Sequence, residues 1–200
     1  MVTVDEMDYP YHIFLASNSP RRRELLSGLD IDYEVRTLPD IDESYPANLQ
    51  GGEIPLYISK EKADAYKPLL QPNELIITAD TIVWLDGQVL GKPQDREDAI
   101  CMLHQLSAHT HEVFTGVTLT TCDKQHSFFA ETKVTFSRLT EEEITYYVDH
   151  YKPFDKAGSY GVQEWIGFIG VERIEGSYFN VMGLPVQRLY RELKQFQHQI

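Results

Sequence analysis

Cysteine is scarce in this 200-residue sequence, and long hydrophobic runs are missing from it. The two cysteines, Cys101 and Cys122, form neither a CxxC motif nor a metal-ligand spacing, which disfavours a zinc site or a disulfide framework. No apolar run reaches the length that crosses a membrane, and no secretory leader pattern occurs. These absences predict a cytoplasmic protein whose cysteines are reduced packing residues.

Basic residues are also few relative to acidic ones. The sequence has 18 lysines and arginines against 31 aspartates and glutamates, which gives a formal net charge of −13. Nucleic acids and anionic membranes both require basic surface, so this charge balance disfavours both as partners. If the protein binds an anion, the site must be a local cluster of basic residues.

Two common signatures of nucleotide and ester chemistry are missing as well. No GxxxxGK[ST] phosphate loop and no GxSxG nucleophile motif occurs. The seven histidines show no spacing that is typical of a zinc site. A phosphate site in this protein must therefore be constructed in another way.

The length and the alternation of patterns predict one α/β domain. Residues 1–11 are polar and acidic and are expected to form a loose lead-in, and residues 12–200 are expected to form a single domain. Apolar strand patterns interleave with amphipathic helix patterns, and several hairpin signals occur. This mixture predicts an α/β or α+β fold with a mixed sheet rather than a purely parallel one.

Three predictions of local structure concern the segments that carry candidate residues. The apolar strand that begins at Glu74 is expected to stop at Ala79–Thr81. Residues 155–170 are rich in glycine and are expected to be irregular. Val171–Ile174 and Ser177–Asn180 are expected to pair as a hairpin.

The segment Ser17–Arg22 (SNSPRR) is a candidate anion site. A strand pattern ends before it, Ser19 is suited to cap a helix, and Pro20 suits the first helical turn. A helix N-terminus offers free amide groups, and Arg21 and Arg22 would add positive charge, which suits a phosphate. The alternative is a solvated arginine cluster after an ordinary helix cap.

Two acidic segments are candidates for holding a divalent cation. Asp80, at the expected end of a buried strand, could bind a cation or deprotonate a water. Glu43, in an acidic loop, could supply a second carboxylate, because magnesium is commonly held by one or two carboxylates plus substrate phosphates. Taken alone, a turn aspartate and a solvated loop glutamate are the plainer explanations.

Further candidates are four lysines and a glutamine. Lysines are usual phosphate partners, although on an acidic protein most of them are simply solvated. The four are Lys60, Lys62, Lys92 and Lys156, of which Lys92 is the best placed because a glycine and a proline flank it. Gln163 follows a glycine-rich run and could hydrogen-bond a base edge through its amide; an exposed loop glutamine is the alternative.

Seven motifs, taken in order, resemble the Maf family of nucleoside triphosphate pyrophosphatases. They extend from about Ile13 to Phe196, and their order and spacing make the resemblance specific, whereas each motif alone would be weak. The motifs are SNSPRR at 17–22, EKA at 61–63, ADT at 79–81, GKP at 91–93, THEVFTG at 110–116, DKAGSYGVQ at 155–163 and NVMGLP at 180–185.

Within that family, the sequence is similar to the branch that acts on dTTP and UTP. The marks of this branch are Arg21, Thr81 and Gln163, positions at which the branch acting on 7-methyl-GTP differs. The resemblance implies an elongated, mixed, twisted sheet flanked by helices, with two lobes and a central cleft, and a homodimer. It also implies a divalent cation, Mg²⁺ or Mn²⁺, and hydrolysis of the triphosphate to a monophosphate and pyrophosphate.

The resemblance assigns roles to single residues. Asp80 would be the catalytic base and a metal ligand, and Glu43 would be the second metal ligand. Thr81 and Gln163 would select the base, together with Arg21. The phosphates would be bound by Ser17, Arg21, Arg22, Lys62 and Lys92.

The sequence departs from the family pattern in two places. Glu164-Trp165 stands where the family often has a glycine, next to the position expected to select the base, and Ala108 replaces a common loop glycine. A non-catalytic nucleotide sensor or division regulator is the alternative function, since part of the family has been linked to septum formation. An intact set of Asp80, Glu43 and Lys92 favours hydrolysis, because a sensor needs no catalytic base.

Overall fold

The computed structural model describes residues 9–198. The predicted lead-in therefore lies mostly outside the described residues. The strands are β1 (His12–Leu15), β2 (Tyr33–Val35), β3 (Glu74–Leu85), β4 (Gln88–Leu90), β5 (Thr110–Thr120), β6 (Gln125–Phe136) and β7 (Val171–Glu175). The helices are α1 (Pro20–Ser27), α2 (Glu53–Tyr66), α3 (Arg96–Leu106), α4 (Glu141–Tyr151), α5 (Trp165–Gly170), α6 (Tyr178–Met182) and α7 (Val186–His198).

The seven strands belong to one mixed sheet. Its order is β2-β1-β3-β5-β6-β7, and β4 pairs with the second half of β3. β1 runs parallel to β2 and to β3, whereas the pairs β3–β5, β5–β6 and β6–β7 are antiparallel. The prediction of a mixed sheet flanked by helices is confirmed.

Local signals in the sequence set the starts of the helices. Ser19 caps α1 by accepting a hydrogen bond from the Arg22 amide, and Pro20 lies in the first turn. Thr140 and Glu143 form a capping box at the start of α4. The cap on α1 matters most for the site, because it makes the helix begin only five residues after β1 ends.

The two largest of the four hydrophobic clusters among the described residues lie along the long strands. Leu75 and Ile77 of β3 pack in the first core, with residues of α1 and α7. Val83 and Leu85 of the same strand pack in the second core, with residues of α3 and α4. Asp80 lies between these two groups, so the strand carries a packed lobe at each end and a polar midpoint. The predicted division into two lobes is confirmed.

Helix α2 crosses the sheet close to this midpoint. Gly116 of β5 pairs with Asp80 in the sheet register. A Cβ atom at Gly116 would lie 2.2 Å from the carbonyl oxygen of Pro55 in α2, so only glycine permits the approach. Lys62 lies about two turns further along α2, and the close packing directs that part of the helix towards the middle of β3.

Three predictions of local structure are wrong. β3 does not stop at Ala79–Thr81 but continues, because β5 pairs with it across that segment. Ser177–Asn180 does not form a strand; Ser177 caps α6 instead, and β7 pairs with β6. Residues 155–170 are not wholly irregular, because they contain a short 3-10 turn and end in α5.

The two cysteines differ from expectation in burial. Cys101 and Cys122 are free and exposed, so neither is a packing residue. The buried residues of α3 are instead Ala99, Met102, Leu103 and Leu106. Within residues 9–198, no helix combines the length and the apolar character that would let it cross a membrane.

Candidate active site

The predicted anion segment lies in a tight turn between β1 and α1. The Ser17 hydroxyl is buried and accepts a hydrogen bond from the Ser19 amide, at 3.2 Å. The Ala16 amide still donates to Ile77 of β3, so the turn starts directly from the sheet. The amide groups of the first turn of α1 consequently lie beside the midpoint of β3, where a helix N-terminus favours negative charge.

The two arginines of this segment have different environments. Arg22 is held by protein acceptors, since its Nε donates to the Gly183 carbonyl at 2.9 Å and its Nη2 donates to the Thr81 hydroxyl at 3.1 Å. Burial lowers the pKa of Arg22, and the neighbouring Asp80 carboxylate opposes that effect. Arg21 instead pairs with Asp155 through one contact of 3.0 Å, which leaves most of its guanidinium donors available to a ligand.

Lys62 links the two predicted carboxylates. Its Nζ lies 2.8 Å from Glu43 Oε1 and 2.9 Å from Asp80 Oδ1. The Asp80 and Lys62 side chains are only 14% and 13% exposed, whereas Glu43 is 57% exposed. Partial burial raises the pKa of Glu43, but the hydrogen bond and charge of Lys62, with Lys92 and Arg22 nearby, outweigh it and give a net lowering. Glu43 is therefore held in its charged form.

The same geometry tests the predicted metal site. The Glu43 and Asp80 carboxylates lie 2.8 and 2.9 Å from the same Lys62 Nζ atom, so they are close to each other, and carboxylate oxygens are the ligands that suit the predicted Mg²⁺ or Mn²⁺. Within the described chain, no three His, Cys, Asp or Glu side chains cluster as a ready metal site. Phosphate oxygens of a substrate would have to complete the coordination.

The cleft at the strand midpoint consists of two adjoining cavities, of about 360 and 540 Å³. They share a charged boundary, which is formed by Ser19, Arg21, Arg22, Glu43, Lys62, Lys92 and Asp155. The smaller cavity adds mainly apolar and aromatic walls, among them Ile82, Val113, Tyr160 and Met182. The larger one adds the polar turn that contains Ser17 and Asn18. One cavity thus suits a planar base and sugar, and the other suits a chain of phosphates.

All nine predicted site residues line this cleft. Asp80, Thr81 and Gln163 lie in the smaller cavity, Ser17 lies in the larger one, and the remaining five lie at the boundary that both cavities share. Lys92 is exposed and forms no ion pair with any residue of the described chain. Lys60 is exposed on α2 and lines neither cavity.

Comparisons with known proteins show the family to which the chain belongs. The model of a protein family described as Maf-like protein matches residues 12–196. The chain belongs to the Maf family. A dTTP/UTP pyrophosphatase of Bacteroides thetaiotaomicron is 68% identical over 184 residues, which are 92% of this chain and 95% of the relative. One of Porphyromonas gingivalis is 55% identical over 188 residues, 93% and 94% of the two chains.

A solved structure supports the fold of this Maf protein. A HAM1 protein from Coxiella burnetii superimposes with a TM-score of 0.50 and covers 92% of this chain and 99% of its own. Its sequence identity is 15%, so the likeness concerns the fold alone.

Two site residues of this Maf protein were missed by motif reasoning. Asp155 pairs with Arg21 across a sequence separation of 134 residues, and the Gly183 carbonyl accepts from Arg22 across 161. Both lie inside family motifs, DKAGSYGVQ and NVMGLP, so the sequence could have placed them near a site. The sequence could not have identified their partners, because contacts between residues so far apart in the chain depend on the packing of the two lobes.

Proposed function

We propose that the protein hydrolyses dTTP and UTP to the nucleoside monophosphate and pyrophosphate. The observation that carries the proposal is that Lys62, at the boundary between the two cavities, forms ion pairs with Glu43 at the same boundary and with Asp80 in the smaller cavity. A triphosphate that spans both cavities would place its phosphates at this boundary. Relatives that are 55% and 68% identical are named dTTP/UTP pyrophosphatases, which supports the same substrates.

The phosphates would be bound by the basic side chains around the boundary. Arg21 and Lys92 have donors that are free of strong protein partners, so they would bind the phosphates directly. Arg22 is fixed by Gly183 and Thr81, so its contribution would be a preorganised charge at low cost in side-chain entropy. The Ser17–Ser19 turn would add amide and hydroxyl donors at the start of α1.

Asp80 would act as the general base. A water beside its carboxylate would lose a proton to it and attack the α phosphorus; the new P–O bond forms as the bond to the β phosphate breaks, and pyrophosphate leaves. Lys62 keeps the Asp80 carboxylate oriented. A bound Mg²⁺ or Mn²⁺, held by Asp80 and Glu43, would neutralise charge on the phosphates.

Base selection would fall to the residues of the smaller cavity. Uracil and thymine present an N–H donor between two carbonyl acceptors, and an amide side chain offers a complementary acceptor and donor. The Gln163 Oε1 atom is buried and has no hydrogen-bond partner within the described chain, so it is available for such an N–H group. Arg21 and Thr81 would complete the selection. A homodimer and a cytoplasmic location remain predictions.

The test is a substrate panel with identification of the products. Purified protein is incubated with dTTP, UTP, dCTP, dATP and dGTP in Mg²⁺ or Mn²⁺, and the released phosphate species are separated by anion exchange. We expect pyrophosphate and monophosphate from dTTP and UTP, and loss of activity in excess EDTA.

Other products would contradict the proposal in distinct ways. Release of orthophosphate would indicate attack at the γ phosphorus. Binding of dTTP without any product would indicate the nucleotide sensor instead. Full turnover in EDTA would rule out the metal.

A further inference from the structure

Glu164 is a mostly buried carboxylate directly after Gln163, and it has two partners. One oxygen, Oε2, accepts a short hydrogen bond from the Tyr147 hydroxyl of α4. The other, Oε1, lies 3.2 Å from the Lys156 ammonium group, which is itself buried. Burial raises the pKa of Tyr147, and the hydrogen bond and charge of Glu164 raise it further, so the hydroxyl keeps its proton and donates. The Glu164 charge is thus compensated inside the protein.

The same tyrosine hydroxyl holds both ends of the turn that carries Gln163. It donates to the Glu164 carboxylate and accepts from the Gly161 amide, at 3.0 Å. The Glu164 amide closes the turn by donating to the Gly161 carbonyl at 2.9 Å. Gln163 therefore lies between two residues that are fixed to one atom of α4.

Close packing leaves this turn little freedom. A Cβ atom at Gly161 would lie 2.9 Å from Glu164 Cδ and 3.1 Å from Gln163 Nε2, so both side chains pack over this glycine and leave no room for a larger residue. Tyr147 is completely buried, and it does not line the cleft. Loss of the Tyr147 hydrogen bonds would free both ends of the turn and thereby change the position of the Gln163 amide, although neither Glu164 nor Tyr147 lines the cleft.

A second connection runs from Glu164 to the phosphate side of the cleft. Lys156 Nζ bonds Asp155 Oδ1 at 2.8 Å as well as Glu164, and Asp155 Oδ2 bonds Arg21 at 3.0 Å. The four side chains alternate in charge from Arg21 to Glu164. The expected phosphate ligand and the expected base-reading amide are therefore attached to one network.

We propose that Tyr147 and Glu164 are positioning residues that set the orientation of Gln163 and thereby the preference for uracil and thymine over other bases. This inference rests on the proposed hydrolysis of dTTP and UTP. It also gives a role to Glu164, at which the sequence departs from the family pattern. A carboxylate at this position is compatible with an uncharged nucleotide base nearby, because Lys156 and Tyr147 contact both of its oxygens.

The experiment compares two substitutions within the network with two matched controls. Tyr147→Phe removes only the hydroxyl, and Glu164→Gln removes the charge with little change of shape. Tyr146→Phe, on the exposed side of the same helix, and Glu172→Gln, at an exposed position of β7, are the controls. For each variant, kcat and KM are measured with dTTP and with dCTP.

We expect the ratio of kcat/KM for dTTP to that for dCTP to fall about tenfold in Tyr147→Phe, through a higher KM for dTTP at nearly constant kcat. In Glu164→Gln the ratio should fall by a smaller factor, because the Tyr147 hydroxyl can still donate to the amide oxygen of the new glutamine side chain. Both controls should retain the wild-type ratio. A purely structural role would lower the activity on both substrates together and leave the ratio unchanged.

An unchanged ratio in both variants, with wild-type turnover intact, would overturn the inference and leave the proposed function standing. No dTTP hydrolysis by the wild-type protein would instead overturn the proposed function. If Tyr147→Phe fails to fold, the ratio in Glu164→Gln decides.

Discussion

Arg21 and Arg22 are neighbours in the sequence, and both are predicted to bind phosphates. Arg22 is engaged by Gly183 and Thr81, whereas Arg21 makes one bond to Asp155. A fixed guanidinium loses little entropy when a ligand arrives, and a less engaged one offers more donors to it. The two residues are thus suited to different parts of phosphate binding, a distinction that the motif alone does not contain.

Asp80 is the residue at which a conservative substitution should reduce turnover while the protein still binds the nucleotide. Asp80→Asn keeps the side-chain shape but removes the base, so we expect kcat with dTTP to fall by a factor of about 10²–10⁴. Circular dichroism should remain that of the wild type, since Lys62 retains Glu43 as a partner. Steady-state kinetics and a binding titration with dTTP measure the two properties.

The matched control for this substitution is Asp86→Asn. Asp86 lies in the exposed turn that follows the same strand, with a positive φ that asparagine also tolerates. Its kcat should equal that of the wild type. Turnover of Asp80→Asn within a factor of three of the wild type would exclude Asp80 as the base.

The location of the nine predicted residues at one cleft could be anticipated from the sequence, because eight of them lie in short motifs and Glu43 lies in an acidic loop. The contacts between these residues could not be predicted from the sequence. That Lys62 bridges Asp80 and Glu43 depends on the packing of α2 against Gly116, which no local pattern specifies. Likewise, Gln163 could be predicted to read a base, but the attachment of its turn to Tyr147 follows only from the tertiary structure.

Strand β3 shows why element boundaries were harder to predict than element types. Its middle contains the polar residues Asp80 and Thr81, which interrupt a mostly apolar run, a pattern that is typical of a strand end. In the structure, these polar side chains face the cleft while the backbone continues its pairing with β5. Polar site residues in the middle of a strand therefore produce the same sequence pattern as the end of a strand.

The N-terminal end of β3 is joined to the edge of the sheet by an ion pair. Arg36, just after β2, contacts both Glu74 oxygens at 2.9 and 2.8 Å, and lies 3.5 Å above the Phe14 ring of β1. The hydrogen bonds from Arg36 lower the pKa of Glu74 from 4.5 to about 2. The pair thus connects the end of β2 to the start of β3, the two strands that flank β1 in the sheet.

This ion pair should make stability depend on pH. The folded state holds Glu74 ionised at pH values where the unfolded chain binds a proton, so the contribution is complete above about pH 4.5 and is lost as pH falls towards 2. Glu74→Gln should lower the free energy of unfolding by roughly 1–2 kcal/mol at pH 7. The difference from the wild type should shrink as pH falls from 4.5, as measured by urea denaturation at each pH.

Glu61→Gln, at an exposed position of α2, is the control for that series and should follow the wild type at every pH. A difference between Glu74→Gln and the wild type that stays constant down to pH 2.5 would contradict the depressed pKa. A difference in the free energy of unfolding that grows as pH falls would also contradict it, because a lowered pKa predicts that the difference shrinks.

At the scale of the whole molecule, the cleft is formed by segments from nearly the entire described chain. Its walls include the turn at 17–19, the acidic loop at Glu43, the middle of β3 and residues 155–163. The net charge of −13 makes this concentration of basic groups exceptional within the protein. Because both lobes contribute, a ligand in the cleft contacts parts of the chain that belong to different hydrophobic cores.

Such a ligand should stabilise the folded protein as a whole. A non-hydrolysable analogue such as α,β-imido-dTTP with Mg²⁺, at 100 times its Kd, should add about 2.7 kcal/mol of stability. For a chain of this size, that corresponds to a rise in Tm of about 5–11 °C in differential scanning fluorimetry.

The substitution Arg21→Ala should reduce the rise in Tm at the same analogue concentration, because it removes a donor to the phosphates. Arg138→Ala, at an exposed position, should leave the shift unchanged. An equal shift in both variants would mean that the analogue binds outside the cleft.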